Sequence, residues 1–174
     1  MNIKNYLDST YLKTPEQAGL SVEENTKVVQ GFIQEAIDEG FKLIMIRPDM
    51  VAMARKMISK ANSMVTIGTV IGFHEGTYSL EDKLTEAKKA IEDGVDDLDF
   101  VCNYEAFKRG EIDIVKKEVL EGTKLGLDHH KIVKWIIEVA ALSNDQIIQI
   151  SSLMKKVVMS NFNEECYHSV YVQA

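Results

Sequence analysis

Hydrophobic and polar positions along the chain fall into two rhythms. Short runs dense in Val, Ile and Phe occur at "KLIMIR" (42–47), "VTIGTVIG" (65–72), "DDLDFVC" (96–102) and "IVKWIIEV" (132–139). Runs of this length and composition predict strands covered on both faces. "YLDSTYL" (6–12) and "SVYV" (169–172) are weaker strands of the same kind. Between the runs, apolar residues recur every three or four positions, the spacing of a helix with one buried face. Val28, Val29, Phe32, Ile33, Ala36 and Ile37 form one such stripe, and Leu80, Leu84, Ala87 and Ile91 another. Ser21 with Glu24, Ser79 with Asp82 and Ser143 with Gln146 have the form of capping boxes. Pro48 suits a first helical turn, and Gly40, Gly94 and Gly126 read as helix stops.

The sum is about six strands and five helices in alternation, which predicts parallel strands with helices packed outside them. A single domain over 1–174 is expected, because no low-complexity linker interrupts the pattern. An open doubly wound sheet and a (β/α)8 barrel both fit, and in both a ligand sits at the carboxyl ends of the strands. There is no G-x-G-x-x-G and no G-x-x-x-x-G-K-[ST], so a dinucleotide or nucleotide site has little support.

Composition narrows the function classes. The net charge is −7, from 27 acidic and 20 basic residues, which argues against nucleic acid as a partner. An anionic small substrate would need only one local cationic pocket. Cys102 and Cys166 form no C-x-x-C pair and predict reduced thiols. "MNIKNYLDST" lacks the apolar core of a signal peptide, and no run has the length of a bilayer-spanning helix. A cytoplasmic protein with no membrane partner is expected.

The strand "DDLDFVC" raises a chemical question, since Asp96, Asp97 and Asp99 are threaded into an interior segment. If Leu98 and Phe100 pack outward, Asp97 and Asp99 point inward. A buried carboxylate needs a cationic or donor partner. Lys134 and Glu138, four apart in "VKWIIEV", share a strand face, and Asp8 in "LDST" is a further acid near the end of the first strand. These residues predict a charged interior site. Strand-end aspartates that cap a helix or pair with lysine are the equally open alternative. Metal chemistry has weak support, because His129 and His130 are adjacent, Cys166 and His168 stand alone, and no H-x-x-x-H or H-E-x-x-H occurs. A G-x-S-x-G nucleophile is also missing.

The segments "YLDSTYLK", "TVIGFHEG", "GVDDLDFVCNYEAFKRG" and "KWIIEVAAL" together resemble the deoxyribose-phosphate aldolase family along essentially the whole chain. The resemblance implies a (β/α)8 fold, a class I aldolase without metal or cofactor, and a small phosphorylated sugar as substrate. Family members cleave 2-deoxy-D-ribose 5-phosphate to acetaldehyde and D-glyceraldehyde 3-phosphate through a lysine Schiff base. It implies Asp99 as the proton-relay acid, Asp8 as a partner of substrate hydroxyls or water, and Lys134 as an inward cation. Asn103 and Arg47 become substrate-binding candidates. His74 in "GFHEG" and Met45 and Arg47 in "IMIRP" depart from the family's usual residues.

The family's nucleophilic lysine lies in a motif close to V-K-[ST]-S-T-G on the sixth strand, where this chain reads "SVYVQA" with Gln173 at the lysine's position. An amide nitrogen cannot form an iminium. A (β/α)8 barrel needs about 250 residues, so an incomplete barrel is expected, with strand edges that associate with another copy. The resulting expectation is an aldolase by family that is not competent alone. The alternative is a non-catalytic truncated paralogue or fragment that self-associates or binds an intact aldolase. Substitution for the lost nucleophile by Lys134 is a third route, because an inward lysine in an apolar setting has a lowered pKa.

Overall fold

The computed structural model describes residues 3–174. The elements follow in the order β1 (Asp8–Tyr11), α1 (Pro15–Ala18), α2 (Val22–Glu39), β2 (Leu43–Ile46), α3 (Val51–Lys60), β3 (Thr66–Ile71), α4 (Leu80–Glu92), β4 (Asp97–Val101), α5 (Tyr104–Lys108), α6 (Ile112–Asp128), β5 (Ile132–Ile136), α7 (Asn144–Asn161) and β6 (Val170–Gln173). This is the α/β alternation of a TIM-barrel-like fold, with the predicted strands and the predicted long helices α2, α3, α4, α6 and α7. The short α1 and α5 are additions that no periodicity announced. The predicted capping boxes at Ser21 and Ser143 close in both directions, and Ser79 accepts from the Asp82 N–H while its hydroxyl donates to the Asp82 carboxylate. Among the described residues no helix is long and apolar enough to cross a membrane.

The chain divides into two compact units, the first running to Thr69 and taking in Lys89–Asp96. In it β1 and β2 pair in parallel with Asp8 opposite Leu43, and β2 and β3 pair with Leu43 opposite Thr66. Val29, Ile33 and Ala36 of α2 and Val51, Ala54 and Ile58 of α3 are buried with all four residues of β2. Gly40 ends α2 in the left-handed conformation, as predicted. Arg55 of α3 donates to the Gly94 carbonyl and, at 2.6 Å, to Asp96. Asp96 also accepts from the Ile67 backbone N–H at 2.8 Å. The first aspartate of the charged strand is therefore structural.

The second unit comprises Val70–Lys88 and Asp97–Ala174. Here β4, β5 and β6 pair in parallel, with Asp99 opposite Lys134, Lys134 opposite Tyr171 and Ile136 opposite Gln173. Trp135 stacks on Phe100 with centroids 4.9 Å apart, and its indole N–H donates to Thr123 of α6. Helix α6 can approach this layer because Gly122 and Gly126 face it: a Cβ on Gly126 would lie 2.2 Å from Val133. Gly126 is thus a packing glycine inside α6, and the helix runs past the predicted stop to Asp128. Strand β5 ends at Ile136, short of the predicted 139, and Glu138 follows with φ of 55°. Glu138 therefore does not share a strand face with Lys134. The buried stripe of α4 is Lys83, Ala87 and Ala90, rotated from the one predicted.

Candidate active site

Strand alternation puts Asp97 and Asp99 on the face of β4 opposite Leu98 and Phe100. The parallel register then sets Lys134 beside Asp99. The Lys134 ammonium lies 3.1 Å from Asp97 and 3.3 Å from Asp99. Both aspartates are buried, Asp99 almost completely at 1% exposure, while the Lys134 side chain keeps 17%. The predicted grouping of Asp99 with Lys134 is present, and Asp97 is its third member.

Burial alone would lower the Lys134 pKa. The charges of Asp99 and then Asp97, with hydrogen bonds to both, outweigh it and hold the lysine above its ordinary value. Asp97 is the nearer carboxylate, but the deeper burial of Asp99 gives its charge the greater weight. The lowered pKa expected for an inward lysine is thus reversed, because the setting is carboxylate-lined rather than apolar. Lys134 is an ammonium donor with no lone pair to attack a carbonyl.

Gln173 is the last residue of β6 and is exposed. Its register with Ile136 places it on the strand face that Lys134 occupies. Its carbonyl accepts from the Ile137 N–H at 3.0 Å.

The charged residues Lys83 and Glu118 were missed. Lys83 is fully buried and donates to the carbonyls of Gly76 and Val101, each at 2.7 Å, and to the Glu118 carboxylate. The other oxygen of Glu118 accepts from the Asn103 N–H at 2.8 Å. Burial raises the Glu118 pKa against the lowering effect of Lys83. The same burial, with Glu118's charge, pushes the Cys102 thiol up to about 12. The pair ties together α4, the turn at Gly76, the end of β4 and α6. A usable signal existed: Lys83 stands three residues after Leu80 and four before Ala87, on the inward stripe.

Asn103 caps α5, its side-chain oxygen accepting from the Ala106 N–H at 2.9 Å. In the first unit, Asp8 opens β1 and is exposed, rather than standing near the strand's end. Arg47 follows β2 and lines a hollow of about 60 Å³ with Tyr11, Lys13 and Asp49. Among the described residues no cluster of His, Cys, Asp and Glu could hold a metal ion.

No protein-family profile matches the chain. Curated relatives do. A deoxyribose-phosphate aldolase of Thermococcus gammatolerans is 35% identical over 156 residues, covering 90% of this chain and 66% of its own length. One of Lactiplantibacillus plantarum is 33% identical over 154 residues, covering 88% and 67%. The solved deoxyribose-phosphate aldolase of Aeropyrum pernix, described as a unique tetramer, superposes with a TM-score of 0.74 at 26% identity, over 89% of this chain and 60% of that one. The chain thus spans about two thirds of the length of the curated relatives it matches. An acid–ammonium cluster on adjacent parallel strands, a TIM-barrel-like alternation and relatives of one kind agree: the chain belongs to the deoxyribose-phosphate aldolase family.

Proposed function

We propose that the chain carries the acid–base part of a class I aldolase site for 2-deoxy-D-ribose 5-phosphate, and that its residues do not themselves form the Schiff base. The observation that carries this reading is Lys134 held between Asp97 and Asp99. In the family's reaction a neutral lysine attacks the carbonyl, and the iminium draws electrons from the breaking carbon–carbon bond. The resulting enamine must then be protonated at carbon. Asp99 is the acid for that step. Lys134, as a cation, donates to a substrate or water oxygen beside it. In the second unit Asn103 is the substrate-binding residue; in the first unit, taken by itself, Asp8 serves hydroxyls or water, and Arg47 lines a hollow with Lys13, two positive charges suited to an anionic group. Gln173 stands in the nucleophile's place, and its amide nitrogen has no free lone pair.

The test is trapping. With acetaldehyde and borohydride at neutral pH, peptide mapping of the wild-type chain should show Lys134 labelled less than exposed lysines such as Lys116. Gln173→Lys should gain a single ethyl group at that position, together with cleavage of 2-deoxyribose 5-phosphate. Selective labelling of Lys134 in the wild type, with turnover, would overturn the reading.

The second unit also carries an apolar hollow of about 210 Å³ between α7 and β6, lined by Trp135, Met154, Val158 and Val170. Met159, Tyr171 and Val172 stand exposed around it. With a tetrameric relative known from Aeropyrum pernix, self-association through the β6 side is the expected use of this face. Sedimentation velocity should show a species larger than one chain, and Val172→Lys should return it to the monomer. A wild-type monomer at micromolar concentration would refute this.

A further inference from the structure

Two carboxylates face one ammonium in this site, and a relay needs only one acid. Asp97 is 3.1 Å from the Lys134 ammonium and Asp99 is 3.3 Å from it. The D-x-D spacing on β4 puts both on one face, and the register of β4 with β5 puts Lys134 level with Asp99. Tyr171, the register partner of Lys134 on β6, is the titratable neighbour on the other side, and its hydroxyl donates to the His168 carbonyl. Glu138 lies two residues beyond the end of β5. Helix α6 and the aromatic layer occupy the opposite face.

A relay acid is neutral for part of each cycle. If Asp99 were the sole counter-charge of Lys134, each protonation of Asp99 would leave a mostly buried cation uncompensated. A stranded buried charge is strongly unfavourable, so the proton would be resisted at Asp99 or driven off the lysine. A second carboxylate that stays ionised removes the conflict.

We propose that Asp97 is the fixed counter-charge of the site: it keeps Lys134 an ammonium while Asp99 takes the proton released by the cleaving substrate hydroxyl and passes it to the carbon of an enamine, borne on a primary amine that this chain does not supply and that Gln173→Lys would restore. The inference rests on the aldolase reading above. Asp97 is a positioning residue here, acting through Lys134, and Asp99 is the group that meets the substrate. The order follows the strand. Asp97 is the first residue of β4, and Asp99 lies nearer the carboxyl end, where ligands of such folds bind.

Two measurements test it on the intact chain. In a carboxyl-carbon NMR titration, Asp97 should remain ionised to lower pH than Asp99, and the reverse order would overturn the proposal without any variant. In Asp97→Asn, Asp99 alone would oppose the effect of burial, and the Lys134 pKa should fall. Its ethylation by acetaldehyde and borohydride at pH 7, relative to Lys116, should rise about tenfold for each pH unit by which its pKa falls. In that reaction the amine lone pair adds to the aldehyde carbon, water leaves, and borohydride gives hydride to the imine carbon. Asp97→Glu should restore the unreactive lysine. A folded Asp97→Asn with unchanged labelling would overturn the proposal. The predicted NMR order alongside an inert Gln173→Lys would sink the aldolase reading alone. A reversed order alongside an active Gln173→Lys would sink this inference alone.

Discussion

Lys83→Met should destabilise the chain by about 3–5 kcal/mol, the cost of leaving one partner of a buried ion pair without the other. The ammonium is fully buried and makes three bonds, to two carbonyls and to Glu118. Methionine fills much of its volume but satisfies none of those acceptors. Glu118 would then be a buried carboxylate that keeps the Asn103 N–H as a donor but has lost its counter-charge. Its pKa is already raised by burial, and loss of Lys83 removes the largest opposing effect. A carboxyl whose pKa is higher folded than unfolded holds more protons in the folded state. The stability of the variant should therefore fall as pH rises past the unfolded glutamate value of about 4.3, and the defect should be smallest below it. Urea midpoints at two pH values would show this. Adding Glu118→Leu should recover a substantial part of the loss, since a buried pair is replaced at lower cost than it is broken. Equal midpoints for wild type and Lys83→Met would mean that the pair is not a structural tie.

Gly76→Ala should cost about 3 kcal/mol or more. The residue has φ of 68°, a conformation that costs any other L-residue about 1–2 kcal/mol. The larger part comes from space: its Cβ would lie 2.2 Å from the carbonyl oxygen of Cys102. That atom is backbone at the end of β4 and cannot swing aside. Relief would have to shift the turn whose carbonyl Lys83 holds, so the damage should spread into the ion-pair network. Gly19→Ala is the control. Its φ is 67°, nearly the same, but no atom lies within 4 Å of the added carbon. A loss near 1 kcal/mol there, against a several-fold larger one at Gly76, would separate strain from collision. Similar losses at both sites would refute the packing argument.

The strands and the long helices could be read from the chain because their signals are local. A run such as "KLIMIR" needs no partner to declare itself, and a capping box is complete within four residues. What could not be read depends on neighbours distant in sequence. Gly126 carries the residue type of a helix stop, yet it is a contact surface for Val133, which only the docking of α6 on β5 reveals. Lys83 stands on the inward stripe of α4, but nothing near it in sequence names its partner Glu118, 35 residues on. The site followed the same rule. Asp99 and Lys134 were visible as charges in interior strands, because β-alternation assigns faces without further knowledge. The protonation state of Lys134 was not. It turned on Asp97 joining Asp99 within hydrogen-bonding range, and an apolar surrounding would have given the opposite sign.

Trp135 is the single tryptophan of the chain. It is fully buried, stacked on Phe100 and bonded to Thr123, all in the second unit. Indole emission is therefore a private witness to that layer. A loosening confined to β1, α2 and α3 would pass without a change in fluorescence, while circular dichroism would record it, so disagreement between the two signals becomes a map of where the molecule opens first.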